Sequence, residues 1–178
     1  MSTTTTRLFN FSAGPAVMPL PVLEEAQRDL IALPGVGMSV MEISHRSKPF
    51  EDILNTAVAN IRQLANVPSN YKILMLQGGA SLQFSMVPMN LLTPGATADY
   101  IDSGSWADKA IKEAKRVGTV NVAGSTKAET YSRLPAQADL ALTAGAAYVH
   151  MTSNNTIEGT QYTRFPDVGE APLVADMS

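Results

Sequence analysis

The run Lys72-Ile73-Leu74-Met75-Leu76-Gln77-Gly78-Gly79-Ala80-Ser81-Leu82-Gln83-Phe84 constrains this chain more than any other stretch. Four consecutive apolar residues, Ile73 to Leu76, predict a short strand buried on both faces, which only a sheet covered on both sides accommodates. Gly78 and Gly79 then permit a tight turn or a close backbone approach. Ala80 to Leu92 reads as a helix, stopped by Thr93-Pro94-Gly95. Strand, glycine turn and helix start, in that order, aim unpaired backbone N–H groups at an anion, so the segment predicts a phosphate seat. The helix end adds roughly half a positive charge, about 0.3–1 kcal/mol for a favourable contact, and the Ser81 hydroxyl is a further donor. The plain alternative is a βα connection whose glycines serve the backbone alone. Neither a Walker A loop nor a dinucleotide fingerprint is present, since no Gly-Lys-Ser/Thr and no G-x-G-x-x-G follows the run.

The rest of the chain repeats the alternation. Leu20, Leu23, Ala26, Leu30 and Ile31 recur at helical spacing and end at Pro34-Gly35. Ser47 is placed to cap a second helix, with Pro49 in its first turn and an apolar stripe of Ile53, Leu54, Ala57, Val58, Ile61 and Leu64. Short strands are predicted at 97–101, 119–122, 146–151 and 173–175, with a helix from Trp106 and a short one over 135–142. Strands alternating with helices predict an α/β fold with a mainly parallel sheet and helical crossovers. Residues 1–16 read as an N-terminal arm and 17–178 as a partial large domain.

Composition narrows the function classes. With 45% hydrophobic and 16% charged residues the 178-residue chain can bury a core and is not a disordered sequence. A net charge of -3 without any Lys/Arg cluster offers no field for nucleic acid. No cysteine means no disulfide and no thiolate metal site, and His45 and His150 are too far apart in sequence, without a carboxylate cluster, to predict a metal. The polar start has no signal-peptide core, and no apolar run approaches the roughly 20 residues of a membrane span. The expectation is a cytoplasmic protein with neither nucleic-acid nor membrane partners.

In parallel sheets ligands sit beyond the carboxyl ends of the strands. Gly78 to Ser81, the Gly104-Ser105-Trp106 turn, the Asn154-Asn155-Thr156 loop and Asp176 all follow predicted strands, so they are expected to share one crevice. Each has a bland role: Trp106 as core, Thr156 and Asp176 as local caps, His45 and Arg46 as a solvated pair. Together, a phosphate cup, an aromatic face, a hydroxyl and a carboxylate suit a planar, phosphorylated, cationic heteroaromatic ring, which describes pyridoxal 5'-phosphate. A close carboxylate favours the protonated ring nitrogen.

Phe9-Asn10-Phe11-Ser12-Ala13-Gly14-Pro15-Ala16, Ser39-Val40-Met41-Glu42-Ile43-Ser44-His45-Arg46, Val67-Pro68-Ser69-Asn70-Tyr71, Ala98-Asp99-Tyr100-Ile101 and Ala107 to Lys115 closely resemble the phosphoserine aminotransferase family, class-V enzymes of fold type I. The resemblance runs over essentially the whole chain. It implies amino transfer between glutamate and 3-phosphohydroxypyruvate, giving phosphoserine and 2-oxoglutarate, with a related substrate in pyridoxine synthesis among bacterial relatives. It also implies a homodimer with shared sites. By motif, Gly79, Ala80 and Ser81 bind the cofactor phosphate, Trp106 stacks on the ring, Thr156 bonds near the ring hydroxyl and Asp176 pairs with the ring nitrogen. His45 and Arg46 match substrate-anion binders that reach the neighbouring subunit, and Ala13 matches a substrate-lining position where some relatives carry serine.

The family's Schiff-base lysine lies roughly twenty residues beyond the position of Asp176, past Ser178, so no catalytic residue is assigned in this chain. Lys48, Lys72, Lys109, Lys112, Lys115 and Lys127 do not match it, and Lys72 is expected at the opposite edge of the sheet. The expectation is therefore the N-terminal part of an aminotransferase, inactive by itself. The alternatives are a non-catalytic cofactor- or phosphate-binding fragment and a dimerising structural fragment.

Overall fold

The computed structural model describes residues 7–12 and 14–178, in two compact units, one running through Met75 and the other Leu76–Ser178. In the first unit α1 spans Leu20–Ile31 and α2 spans Lys48–Leu64, both starting at a proline in the first turn as the sequence implies. The Ser47 hydroxyl does not cap α2; it donates to the Ser44 carbonyl at 2.7 Å, closing the preceding turn instead. Arg62, in the last turn of α2, donates to the carbonyls of Val67, Pro68 and Tyr71 and so fixes the chain that leaves the helix. No residue of either helix is buried, so the apolar stripe of α2 stands on the surface of this unit.

The second unit carries the sheet. Its elements are α3 (Gly79–Leu91), β1 (Thr97–Asp102), α4 (Ser105–Ala114), β2 (Thr119–Ser125), β3 (Val149–Thr152), β4 (Asn154–Asn155), β5 (Thr160–Gln161) and β6 (Leu173–Asp176). Four strands run parallel in the order β2-β1-β3-β6, while β4 and β5 form a separate antiparallel hairpin. The α/β, parallel-sheet expectation holds. The chain goes from β1 to β2 on one side and then returns to place β3 on the other, so the order reverses at β1/β3. Such a reversal opens a crevice at the carboxyl ends of these two strands.

Period-two alternation along β1 supplies a core on each face. Ala98 and Tyr100 pack with Phe84 of α3, with Ala110, Ile111 and Ala114 of α4, and with Tyr148. Ile101 faces the other way, onto Val149, Met151 and the partly buried Leu140, Leu173 and Ala175. Burying side chains of this size contributes about 1.5–3 kcal/mol each. Asp99, also buried, anchors the return loop: its carboxylate accepts from the Thr143 N–H at 2.6 Å, the Thr143 hydroxyl at 2.7 Å and the Asn121 amide at 2.9 Å.

Three expectations fail in this unit or at its start. Ile73 to Leu76 forms no strand: Leu74, Met75 and Leu76 are exposed, Leu74 at 71%. Its apolar pattern reports a preference for a sheet interior, but a strand also needs a ladder partner, and the run is in no hydrogen-bonded ladder among the described residues. Lys72 therefore precedes no strand. The helix over 135–142 shrinks to a 3-10 turn at Gln137–Asp139, held by Asp139 accepting from the Ala136 N–H at 2.8 Å. β3 starts at Val149, three residues later than the apolar run, although Ala147 still donates to the Thr97 carbonyl.

Candidate functional site

The glycine turn before α3 takes the predicted shape, with φ of 91° at Gly78 and 57° at Gly79. A Cβ at Gly78 would lie 2.3 Å from the Leu82 side chain, so the turn has room only for glycine. The first intrahelical bond runs from Leu82 N–H to the Gly78 carbonyl, and no side chain caps the helix. The N–H groups of Gly79, Ala80 and Ser81 are consequently outside the helical ladder.

Ala80 opens onto a cavity of about 260 Å³ lined also by Gln83, Phe84, His150, Val174 and Asp176. Asp176 is the last residue of β6, opposite Thr152 at the end of β3. Its Oδ1 accepts from the Ser178 N–H at 3.1 Å and hydroxyl at 2.8 Å, and its carbonyl accepts from the Ser153 N–H at 2.8 Å. His150 forms the aromatic wall below: its ring stacks on Tyr100, centroids 4.7 Å apart, and meets Phe84 edge-on at 6.5 Å. Burial pushes the imidazole down to about 4 against the opposing pull of the Asp176 charge, and its Nδ1 has no partner among the described residues. His150 is therefore neutral at neutral pH.

Trp106 and Thr156 meet at the same carboxyl edge of the sheet. β1 hands the chain through Ser103 and Gly104 to α4, which places the half-buried Trp106 in the first turn. β3 hands it to β4, whose buried Asn155 donates to the Ser103 carbonyl and hydroxyl at 3.1 and 3.0 Å. The next residue, Thr156, accepts a hydrogen bond from the Trp106 indole at 3.1 Å. The Lys109 ammonium stands 4.0 Å from the centre of the indole ring, a cation–π contact.

The structure thus pairs Ala80 with Asp176 in one cavity and Trp106 with Thr156 in one hydrogen bond, with Gly79 and Ser81 flanking Ala80. His45 and Arg46 lie in the first unit, in an exposed turn before α2, where the Arg46 N–H donates to Ser44 Oγ at 3.2 Å. Ala13 falls outside the described residues. Sequence reasoning missed His150 as a wall of the cavity. Strand alternation carried the signal, because Val149 and Met151 claim one face of β3 and leave Tyr148 and His150 on the other.

The donor set fits pyridoxal phosphate: free N–H groups at a positive helix end for its phosphate, a carboxylate on the same cavity for a ring nitrogen, and an indole–hydroxyl pair at the same sheet edge. Among the described residues, no group of three or more histidine, aspartate or glutamate side chains is arranged to hold a metal ion, and no helix is long and apolar enough to cross a membrane.

The family described as aminotransferase class-V matches residues 8–178. The chain is 54% identical over 173 residues to phosphoserine aminotransferase of Desulfatibacillum aliphaticivorans, covering 97% of this chain and 47% of that protein. Its fold is similar to the solved phosphoserine aminotransferase of Bacillus circulans subsp. alkalophilus, with TM-score 0.91, 50% identity, and coverage of 97% of this chain and 48% of that one. It is similar also to the PLP-bound phosphoserine aminotransferase of Trichomonas vaginalis, with TM-score 0.89, 42% identity, and coverage of 97% and 51%. The chain spans about half the length of the curated relatives it matches. A match over almost its entire length means that this chain belongs to the class-V aminotransferase family.

Proposed function

We propose that this chain is the cofactor-binding part of a phosphoserine aminotransferase, which uses pyridoxal 5'-phosphate to exchange an amino group between glutamate and 3-phosphohydroxypyruvate, giving phosphoserine and 2-oxoglutarate. The observation that carries the proposal is the shared cavity of Ala80, at an uncapped helix N-terminus, and the Asp176 carboxylate. The names of the similar proteins support the same substrates.

When bound, the cofactor supplies an electron sink for negative charge at the α-carbon of the amino-acid substrate. The chain's own residues hold and tune it. Gly79, Ala80 and Ser81 take the phosphate with backbone N–H groups and the Ser81 hydroxyl. Trp106 covers one face of the ring, and Thr156 bonds near the ring hydroxyl while still held by the indole N–H. Asp176 keeps a proton on the ring nitrogen, and the neutral His150 beside it adds no competing cation. His45 and Arg46 bind the anionic groups of the substrate, the planar Arg46 guanidinium taking a carboxylate or phosphate with two hydrogen bonds. They act in the neighbouring subunit's site, so the proposal includes a homodimer. Ala13 lines the substrate without a hydroxyl to offer. Serine biosynthesis, a second use in pyridoxine synthesis and a cytoplasmic setting belong to the same proposal, as does the division into an arm of residues 1–16 and a large domain from residue 17.

A second reading, cofactor binding without turnover by this chain alone, is favoured by the absence of lysine among the residues lining the cavity. Equilibrium dialysis with pyridoxal phosphate tests the site common to both readings. One saturable site is expected, displaced by inorganic phosphate and weakened about tenfold or more in Asp176→Asn, the factor that loss of one charge-assisted hydrogen bond gives. No saturable binding, or equal binding by the variant, would overturn the assignment.

A further inference from the structure

Glu158 stands outside the residues assigned to the cofactor, yet it binds the helix that carries one of them. Its Oε1 accepts from the Ser105 N–H at 2.9 Å and from the Ser105 hydroxyl at 2.6 Å. Ser105 is the first residue of α4 and Trp106 the second, while Glu158 lies two residues past Thr156. The β4–β5 loop and the start of α4 are therefore tied at two points, Glu158 to Ser105 and Thr156 to Trp106.

The two ties differ in strength. Thr156 and Ile157 are exposed, and the indole–hydroxyl bond between neutral groups at the surface is a weak restraint for a loop tip. The Glu158 bonds are charge-assisted, and the carboxylate also faces the positive end of α4. Its second oxygen, Oε2, is buried without a partner among the described residues, so Ser105 is the anchor on which the carboxylate depends.

We propose that Glu158 is a positioning residue, clamping the β4–β5 loop to the first turn of α4 so that the Trp106 indole and the Thr156 hydroxyl are held in register for the ring of a bound heteroaromatic cofactor. The last step rests on the cofactor site proposed above; the clamp itself does not.

Trp106 is the single tryptophan of the chain, so its emission reads the clamp directly. Two variants separate the cases: Glu158→Gln keeps an oxygen acceptor for Ser105, whereas Glu158→Leu removes it. Without cofactor, acrylamide quenching of Trp106 is expected to rise about twofold or more in Glu158→Leu, as a loop freed of its stronger hydrogen bonds opens, and to stay near the unsubstituted level in Glu158→Gln. In a titration with pyridoxal phosphate followed by Trp106 quenching, Glu158→Leu is expected to bind about tenfold more weakly and Glu158→Gln within about threefold. Far-UV circular dichroism confirms that both variants are folded. If Glu158→Leu does not fold, Ser105→Ala, which deletes only the hydroxyl donor, carries the same comparison with a smaller shift. Equal acrylamide quenching in the unsubstituted chain and in the Leu variant overturns the clamp, and so does a Gln variant as loose as the Leu one. A failure of the unsubstituted chain to respond to pyridoxal phosphate overturns the cofactor site instead, and the quenching comparison still decides the clamp.

Discussion

A Cβ on Gly104 would stand 2.4 Å from Cγ of Asn155, so the turn leaving β1 and the loop leaving β3 fit together only because residue 104 has no side chain. Gly104→Ala must push Asn155 off the Ser103 carbonyl and hydroxyl. We expect a loss of about 1–3 kcal/mol, the range for forcing an extra carbon into a packed site, measured as a lower urea midpoint with unchanged slope.

His150 makes stability depend on pH. Its folded value, about 4, lies below its ordinary value of 6.5, because burial disfavours the charged ring. The unfolded chain thus binds the extra proton first, so this contribution is complete above 6.5 and is lost as pH falls through about 4, a total on the order of 3 kcal/mol. His150→Phe, which keeps an aromatic ring against Tyr100, is expected to flatten this acid limb. Urea midpoints of the two proteins at pH 7 and pH 4 check it; parallel changes would contradict it.

Asp99 holds the return loop far from the cofactor edge, at the start of β1. Asp99→Ala leaves the two Thr143 donors without their acceptor, while the Asn121 amide keeps the Ala141 carbonyl, and is expected to cost about 2–5 kcal/mol. Pyridoxal phosphate affinity of the folded fraction should not change. A parallel loss of affinity would show that the loop bears on the site.

The seat at α3 has two kinds of donor, which Ser81→Ala separates. Deleting the hydroxyl while keeping the N–H groups is expected to weaken inorganic phosphate competition by up to about tenfold, within the worth of one hydrogen bond, without altering thermal stability. An unchanged competition constant would assign the phosphate to the backbone alone.

The Lys109 ammonium is engaged on the Trp106 indole, the ring proposed to cover the cofactor. We expect no 2-oxoglutarate release from glutamate and 3-phosphohydroxypyruvate by the 178-residue chain with added cofactor, and release when it is co-expressed with the second half of a relative. Turnover by the chain alone that disappears in Lys109→Met would reassign the catalytic amine to Lys109.

Local pattern was enough to locate the four parallel strands, and helical spacing with a proline in the first turn located α1 and α2 although neither buries a residue. The tight turn before α3 was legible too, since Gly78 and Gly79 take the positive φ that the pair permits. What stayed hidden depends on partners distant in sequence. Ser47 looked like a cap until Ser44 offered a closer carbonyl, and Ile73 to Leu76 looked like a strand until no neighbour adjoined it. The contacts of Glu158 and Asn155 were invisible for the same reason: their partners, Ser105 and Ser103, lie 53 and 52 positions away.

The bare segment from Ile73 to Leu76 has a practical side. An apolar run with Leu74, Met75 and Leu76 exposed and no ladder partner among the described residues is an invitation to any passing β-edge, including the same run on another molecule. Handling of this polypeptide at high concentration should therefore be governed by those four residues more than by its net charge, and a lysine introduced at Leu74 is the smallest change that would discourage such self-pairing.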